Sequence, residues 1–135
     1  MNVPGFILLP LLIISFSPGQ VARAGPEETS KQVVAALSAG DAQALSAYLN
    51  KMIDLGIAGT EGTFSKTQAT RILRDFFQKN PVTSVRIDKQ GTSADGSFFS
   101  LGEMKAGGKA YRIYYLLKNV DGDDRVQLIQ IQEPD

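Results

Sequence analysis

Neither cysteine nor histidine occurs in the 135 residues of this chain. Their absence rules out Ser-His-Asp and Cys-His nucleophiles, zinc sites of the usual His/Cys kind, and any side chain whose unperturbed pKa lies near neutrality. No disulfide can form, so the core alone must hold the fold. An excess of either charge is also missing: 14 Lys and Arg face 14 Asp and Glu, and no block of five or six like charges occurs. Nucleic acid and anionic membrane surfaces are therefore poor partners, because each requires a concentrated basic face. Long hydrophobic runs are lacking too. Phe6 to Phe16 is an apolar stretch of about eleven residues, well short of the roughly twenty that span a bilayer but typical of a signal-peptide core.

Pro18 and Gly19 break that stretch, and Ala22-Arg23-Ala24 offers an A-x-A site for cleavage before Gly25. The first five residues carry no Lys or Arg, which is atypical and leaves an uncleaved anchor as the competing reading. We expect residues 1–24 to be a signal peptide and 25–135 one exported domain, periplasmic or secreted. With no lipid-accepting cysteine and no span after signal removal, it should be soluble. About 110 residues suffice for a single core that buries roughly two thirds of the unfolded surface.

In the remaining chain, PEETSKQVVAALSAG predicts a first helix. Pro26, Glu27 and Glu28 suit its first turn, Val33, Ala36 and Leu37 share a face, and Gly40 ends it. Asp41 caps a second helix over 41–50, with Leu45, Tyr48 and Leu49 at helical spacing. KMIDLGIA is expected as a short strand, with Ile53, Leu55 and Ile57 on one side and Met52, Asp54 and Gly56 on the other. GTEGTF reads as a loop, at most a mobile lid. SKTQATRILRDFFQKNP carries the strongest helical signal: Ser65 and Gln68 form a capping box, and Ala69, Ile72, Leu73, Phe76 and Phe77 follow the i, i+3, i+4, i+7, i+8 pattern up to Asn80-Pro81.

Beyond Pro81 the dipeptides Asp95-Gly96, Gly107-Gly108 and Asp121-Gly122 mark tight turns between four antiparallel strands. Centring each turn on its dipeptide sets Met104 opposite Tyr111, Glu103 opposite Arg112 as an ion pair, Tyr115 opposite Leu128, and Ile87 beside Met104. The inner face then holds Val85, Ile87, Phe98, Ser100, Gly102, Met104, Tyr111, Ile113, Tyr115, Leu117, Val126, Leu128 and Gln130. Arg86, Asp88, Glu103 and Arg112 lie on the reverse face, together with Phe99, Leu101, Tyr114, Leu116, Ile129 and Ile131. So many apolar residues on a face meant for water predict a partner, most simply a second copy in a homodimer.

The order of helices, short strand, helix and meander resembles the nuclear transport factor 2-like superfamily, which includes ketosteroid isomerases and scytalone dehydratase. SAGDAQALSAYLN, FSKTQATRILRDFFQKNP and KAYRIYYLLKN resemble a family of small exported Bacteroidetes proteins of undefined function. The resemblance implies an α+β cone: N-terminal helices packed on a curved, four- to five-stranded antiparallel sheet, with dimerisation through the sheet's outer side in many members. It transfers no catalytic residue.

An isomerase or dehydratase in such a cone would need a carboxylate base and oxyanion donors in an apolar pocket. Asp54 is the candidate base and Tyr48, Tyr111 and Tyr115 the candidate donors, although Asp54 falls on the solvent side of its strand. Ser100 and Gly102 opposite large residues, and Gln130 among apolar ones, point to a cavity, although small residues opposite large ones also occur in plain interdigitation. The expected lining is Tyr48, Phe76, Phe77, Ser100, Tyr111, Ile113, Tyr115 and Gln130, and the expected ligand is small and apolar or amphipathic. Asp121-Gly122-Asp123-Asp124 fails the EF-hand template, so neither metal nor cofactor is expected. A non-catalytic binding or interaction module is the favoured reading, with the Asp54 enzyme as its alternative.

Overall fold

The protein is described from a computed structural model covering residues 25–134; the expected signal peptide lies outside the described residues. Three helices precede or interrupt a six-stranded sheet: α1 Pro26–Ala39, α2 Ala42–Ser46, β1 Leu49–Ile57, β2 Thr60–Ser65, α3 Lys66–Lys79, β3 Val82–Thr92, β4 Phe98–Ala106, β5 Lys109–Val120 and β6 Asp123–Gln132. Strand order is β2-β1-β6-β5-β4-β3. All neighbours are antiparallel except β1 and β6, which run parallel. The expected sheet of four or five antiparallel strands is thus corrected to a mixed sheet of six.

Local chemistry accounts for the helices. At the end of α1, Gly40 has φ 62° and passes its N–H to Leu37 while Asp41 reaches back to Ala36; this reversal needs the left-handed conformation that glycine adopts freely. Asp41 caps α2 through Ala44. That helix stops at Ser46 and not at Asn50, because the Tyr48 carbonyl accepts the Val126 N–H and starts β1. Both arms of the Ser65/Gln68 capping box form at α3. Its apolar stripe buries Ala69, Leu73, Phe76 and Phe77.

GTEGTF forms strand β2 instead of a loop. Ala58 and Gly59 adopt φ 41° and 94°, two consecutive positive values that turn β1 straight back on itself. An alanine at a position that normally calls for Asn, Asp or Gly hides this turn from a sequence reading. Gly107-Gly108 and Asp121-Gly122 make the same kind of turn. Ser93–Ser97 is a longer reversal in which the Ser97 N–H donates to Asp95 Oδ1 at 3.0 Å. That bond holds the Asp95 carboxyl below its ordinary range.

The β4–β5 register is the expected one, from Phe98 opposite Leu117 to Met104 opposite Tyr111. Irregularities in β3 and β6 alter the rest. In β3 the alignment is already one residue off beside the Ser93–Ser97 reversal and shifts again between Ile87 and Lys89, so Val85 lies opposite Met104, and Ile87 opposite Gly102. In β6 it shifts after Val126, so Leu116 meets Leu128 and Tyr115 meets Ile129. An extra residue in a strand reverses the facing of everything that follows. Ile129 and Ile131 consequently point inward and are fully buried, whereas Leu128 and Gln130 point outward and are half-buried; all four were expected on the opposite faces. Gln127, at the bulge, accepts a bond from Asn50 at 2.8 Å and lies 3.5 Å from the Met52 carbonyl. It ties the irregularity in β6 to the matching one in β1.

The core occupies the inner face. Ile57, Ile131 and Ile113 form one row across β1, β6 and β5, and Leu55, Ile129 and Tyr115 the next. Helix α3 covers the β1–β2 side, and α1 covers the β3 side.

Candidate functional site

Ser100 and Tyr115 stand opposite each other at the centre of the inner face. Both are completely buried, and α1 places Ser30 above them. Tyr115 hydrogen-bonds Ser30 Oγ, and Ser30 Oγ lies 3.4 Å from Ser100 Oγ. The three hydroxyls satisfy one another. Among the described residues every buried side-chain nitrogen and oxygen has a partner, so this interior reserves no polar group for a ligand. Nor does Gly102 leave space: a Cβ built there would lie 2.0 Å from the Arg86 carbonyl oxygen. The small residues that suggested a chamber accommodate a helix hydroxyl and a neighbouring strand's backbone.

The other residues expected around a pocket are dispersed. Tyr111 and Phe76 do meet, edge to face, with ring centroids 5.4 Å apart. Phe77 packs edge-on to Phe76, and Ile113 lies deep in the core. Tyr48 sits at the far end of the sheet, by Thr29 and the β5–β6 turn. Gln130 is on the opposite face, paired with Tyr114.

Asp54 is also on the outer face. It is exposed, lies beside Leu128 across β6, and accepts a bond from Thr63 at 2.7 Å. The sheet separates it from Tyr111 and Tyr115. A general base must come within hydrogen-bond reach of the substrate its donors hold, and this arrangement does not provide that.

Two surfaces bring several large apolar side chains together with charged ones. One is a groove of about 480 Å³ between α3 and the ends of β1 and β5, floored by Ile57, Ile72, Phe76 and Tyr111 and rimmed by Asp75, Lys79, Lys109 and Glu133. Lys109 and Glu133 pair at 3.1 Å, which raises the lysine pKa above its ordinary value.

The second surface is the outer face of the sheet, where Phe99, Leu101, Tyr114, Leu116 and Leu128 are all half-buried and, among the described residues, no element covers them. Around them lie charged groups. Arg86, Glu103 and Arg112 form a lateral row. The expected Glu103–Arg112 contact is in register but is not among the ion pairs of the described residues; Arg86 instead binds Asp88 at 2.8 Å, which raises the arginine pKa. At the β1–β2 end, Gly56 leaves a depression of about 270 Å³ bordered by Asp54, Glu61, Thr63, Leu128 and Gln130. Sequence alternation identified four of the five apolar members. Leu128 was missed because of the β6 bulge.

Among the described residues, no helix is long and apolar enough to cross a membrane. A family model described as "Domain of unknown function (DUF4783)" matches residues 30–132. The crystal structure of a DUF4783 family protein from Bacteroides ovatus is 28% identical, with a TM-score of 0.71 over 77% of this chain and 94% of its own. One from Bacteroides uniformis is 26% identical, with a TM-score of 0.73 over 78% and 96%. A protein of unknown function from Cytophaga hutchinsonii, described as NTF2-like, shares only the fold, at 9% identity and a TM-score of 0.59 over 79% and 88%. No curated protein matches the chain. With most of its length matched by the family model and the same helices-then-sheet architecture in its relatives, the chain belongs to the DUF4783 family, with a nuclear transport factor 2-like fold.

Proposed function

We propose that this is an exported, non-catalytic interaction module that pairs with a second copy through the outer face of its sheet. One observation carries the reading: five large apolar side chains form a continuous uncovered patch across β4, β5 and β6, while the inner face is filled and its polar groups are spent on one another. Patches of this kind on soluble domains generally mark contact surfaces. The N-terminal apolar run and A-x-A site support export. A single charge at the centre of the patch tests the pairing. Leu101→Asp should lower the apparent mass in sedimentation velocity from two copies to one, with the far-ultraviolet circular dichroism spectrum preserved. An unchanged sedimentation coefficient would remove this face from the interface.

The groove beside α3 favours a second reading, capture of a small amphipathic ligand, because its apolar floor and charged rim fit such a molecule and its volume is in the usual range for one. On this reading anilinonaphthalene sulfonate should fluoresce with the folded protein. Ile72→Glu, which puts a carboxylate on the groove floor, should reduce that signal several-fold; equal fluorescence from both proteins would count against the groove.

A further inference from the structure

The outer face carries more than an apolar patch. One of its cross-strand rows runs from an acidic edge to a basic one. The central row reads Glu61, Gly56, Gln130, Tyr114, Leu101 and Lys89 across β2, β1, β6, β5, β4 and β3. The next row reads Thr63, Asp54, Leu128, Leu116, Phe99 and Gly91. Neither Glu61 nor Lys89 takes part in an ion pair among the described residues, and both are exposed.

We propose that the second copy docks about a two-fold axis parallel to the strands, passing between β5 and β6, so that Leu101 of each copy enters the depression over Gly56 of the other and Glu61 meets Lys89. This inference rests on the outer-face pairing proposed above. A two-fold axis placed there reverses the strand order of the second copy. The central row then lies over itself reversed: Glu61 over Lys89, Gly56 over Leu101, Gln130 over Tyr114. In the next row Leu128 lies over Leu116. In the central row a large side chain thus meets a position with none, and acid meets base at both edges, while in the next row Asp54 lies over Phe99. The alternative axis, in the sheet plane but across the strands, stacks Glu61 on Glu61 and Lys89 on Lys89, and like charges brought together oppose association.

Size supports the need for such a fit. Six strands spaced about 4.8 Å apart make a face roughly 25 Å wide. A specific interface needs at least about 1,000 to 1,200 Å² buried in total, so a face of this width has little area to spare. Shape and charge complementarity must therefore supplement area.

The depression gives the sharpest test. A Cβ at Gly56 meets nothing closer than Gln130 Cγ at 3.7 Å and Glu61 Cγ at 3.8 Å, and the depression of about 270 Å³ beside it has room for the rest of a leucine, so Gly56→Leu is accommodated within one copy and collides with the Leu101 of a second. Equilibrium sedimentation should show dimerisation weakened by about a hundredfold or more, with the melting temperature of the folded chain not lowered. Glu61→Lys and Lys89→Glu should each weaken self-association by about tenfold, and an equimolar mixture of the two should recover the parent affinity as a heterodimer. If the parent dimerises and Gly56→Leu, Glu61→Lys and Lys89→Glu dimerise equally well, this docking is wrong while outer-face pairing stands, provided Leu101→Asp still dissociates the dimer. A monomeric parent would overturn both.

Discussion

Ile129→Asp should unfold this protein, and Leu128→Asp, one residue earlier, should leave it folded and monomeric. The two side chains differ little in size and hydrophobicity, so the contrast depends only on which face each occupies. Ile129 has no exposed surface and packs beside Tyr115 and Leu55. A carboxylate there would be desolvated among aliphatic groups with no cation nearby, at a cost of at least about 4 kcal/mol. A domain of this size has only about 5 to 15 kcal/mol of stability in all. Leu128 lies on the outer face between Asp54 and Leu116, where a carboxylate stays hydrated and costs about 1 kcal/mol of fold stability. Thermal melts by circular dichroism should show no cooperative transition for the first variant and a near-parental one for the second. Sedimentation should find the second as single copies. The reverse outcome, a lost transition for Leu128→Asp and a near-parental melt for Ile129→Asp, would mean that β6 is not bulged at Gln127 and that the facing of its last half is the continuous alternation.

That bulge is faintly visible in the sequence. The glutamines of β6 occur at 127, 130 and 132: a step of three followed by a step of two, with Leu128-Ile129 as the doubled apolar pair inside the longer step. Strict period-2 reading treats the pair as one residue in and one out, which is correct, but starts the count from Val126 and so assigns them the wrong way round. The β4–β5 register was readable because a Gly-Gly turn fixes it locally. The α3 boundaries were readable because the capping box and Asn80-Pro81 are both local signals. By contrast, β1 joining β6 in parallel is a contact between residues more than seventy positions apart, and nothing near either strand specifies it. As for the site, alternation alone yielded the outer apolar cluster of Phe99, Leu101, Tyr114 and Leu116. Cavity and interdigitation could not be told apart at Ser100 and Gly102, because a small residue in a strand looks the same whether it faces a void or a neighbouring backbone.

Gly102→Ala separates those two possibilities by the sign of its effect. Were the inner face hollow at Gly102, a methyl group would gain burial and a stiffer unfolded chain, and stability would rise by about 0.5 to 1 kcal/mol. Here the added carbon lies 2.0 Å from the Arg86 carbonyl oxygen, 2.9 Å from its carbonyl carbon and 3.0 Å from the Ile87 Cα. All three are backbone atoms, held by the β3–β4 ladder next to the bulge between Ile87 and Lys89, and no rotamer change can move them aside. Relief requires displacing β3 by more than an ångström or breaking pairs of that ladder, and overpacking of this severity costs about 3 kcal/mol. Gly91 is the control on the same strand pair: its added carbon meets only the Phe99 ring, at 3.4 Å, which can give, so Gly91→Ala should stay within about 0.5 kcal/mol of the parent. Urea unfolding of the three proteins measures both. A Gly102→Ala midpoint at or above the parent's would restore an open space over the sheet, and with it a role for Ser100 and Tyr115 as ligand contacts.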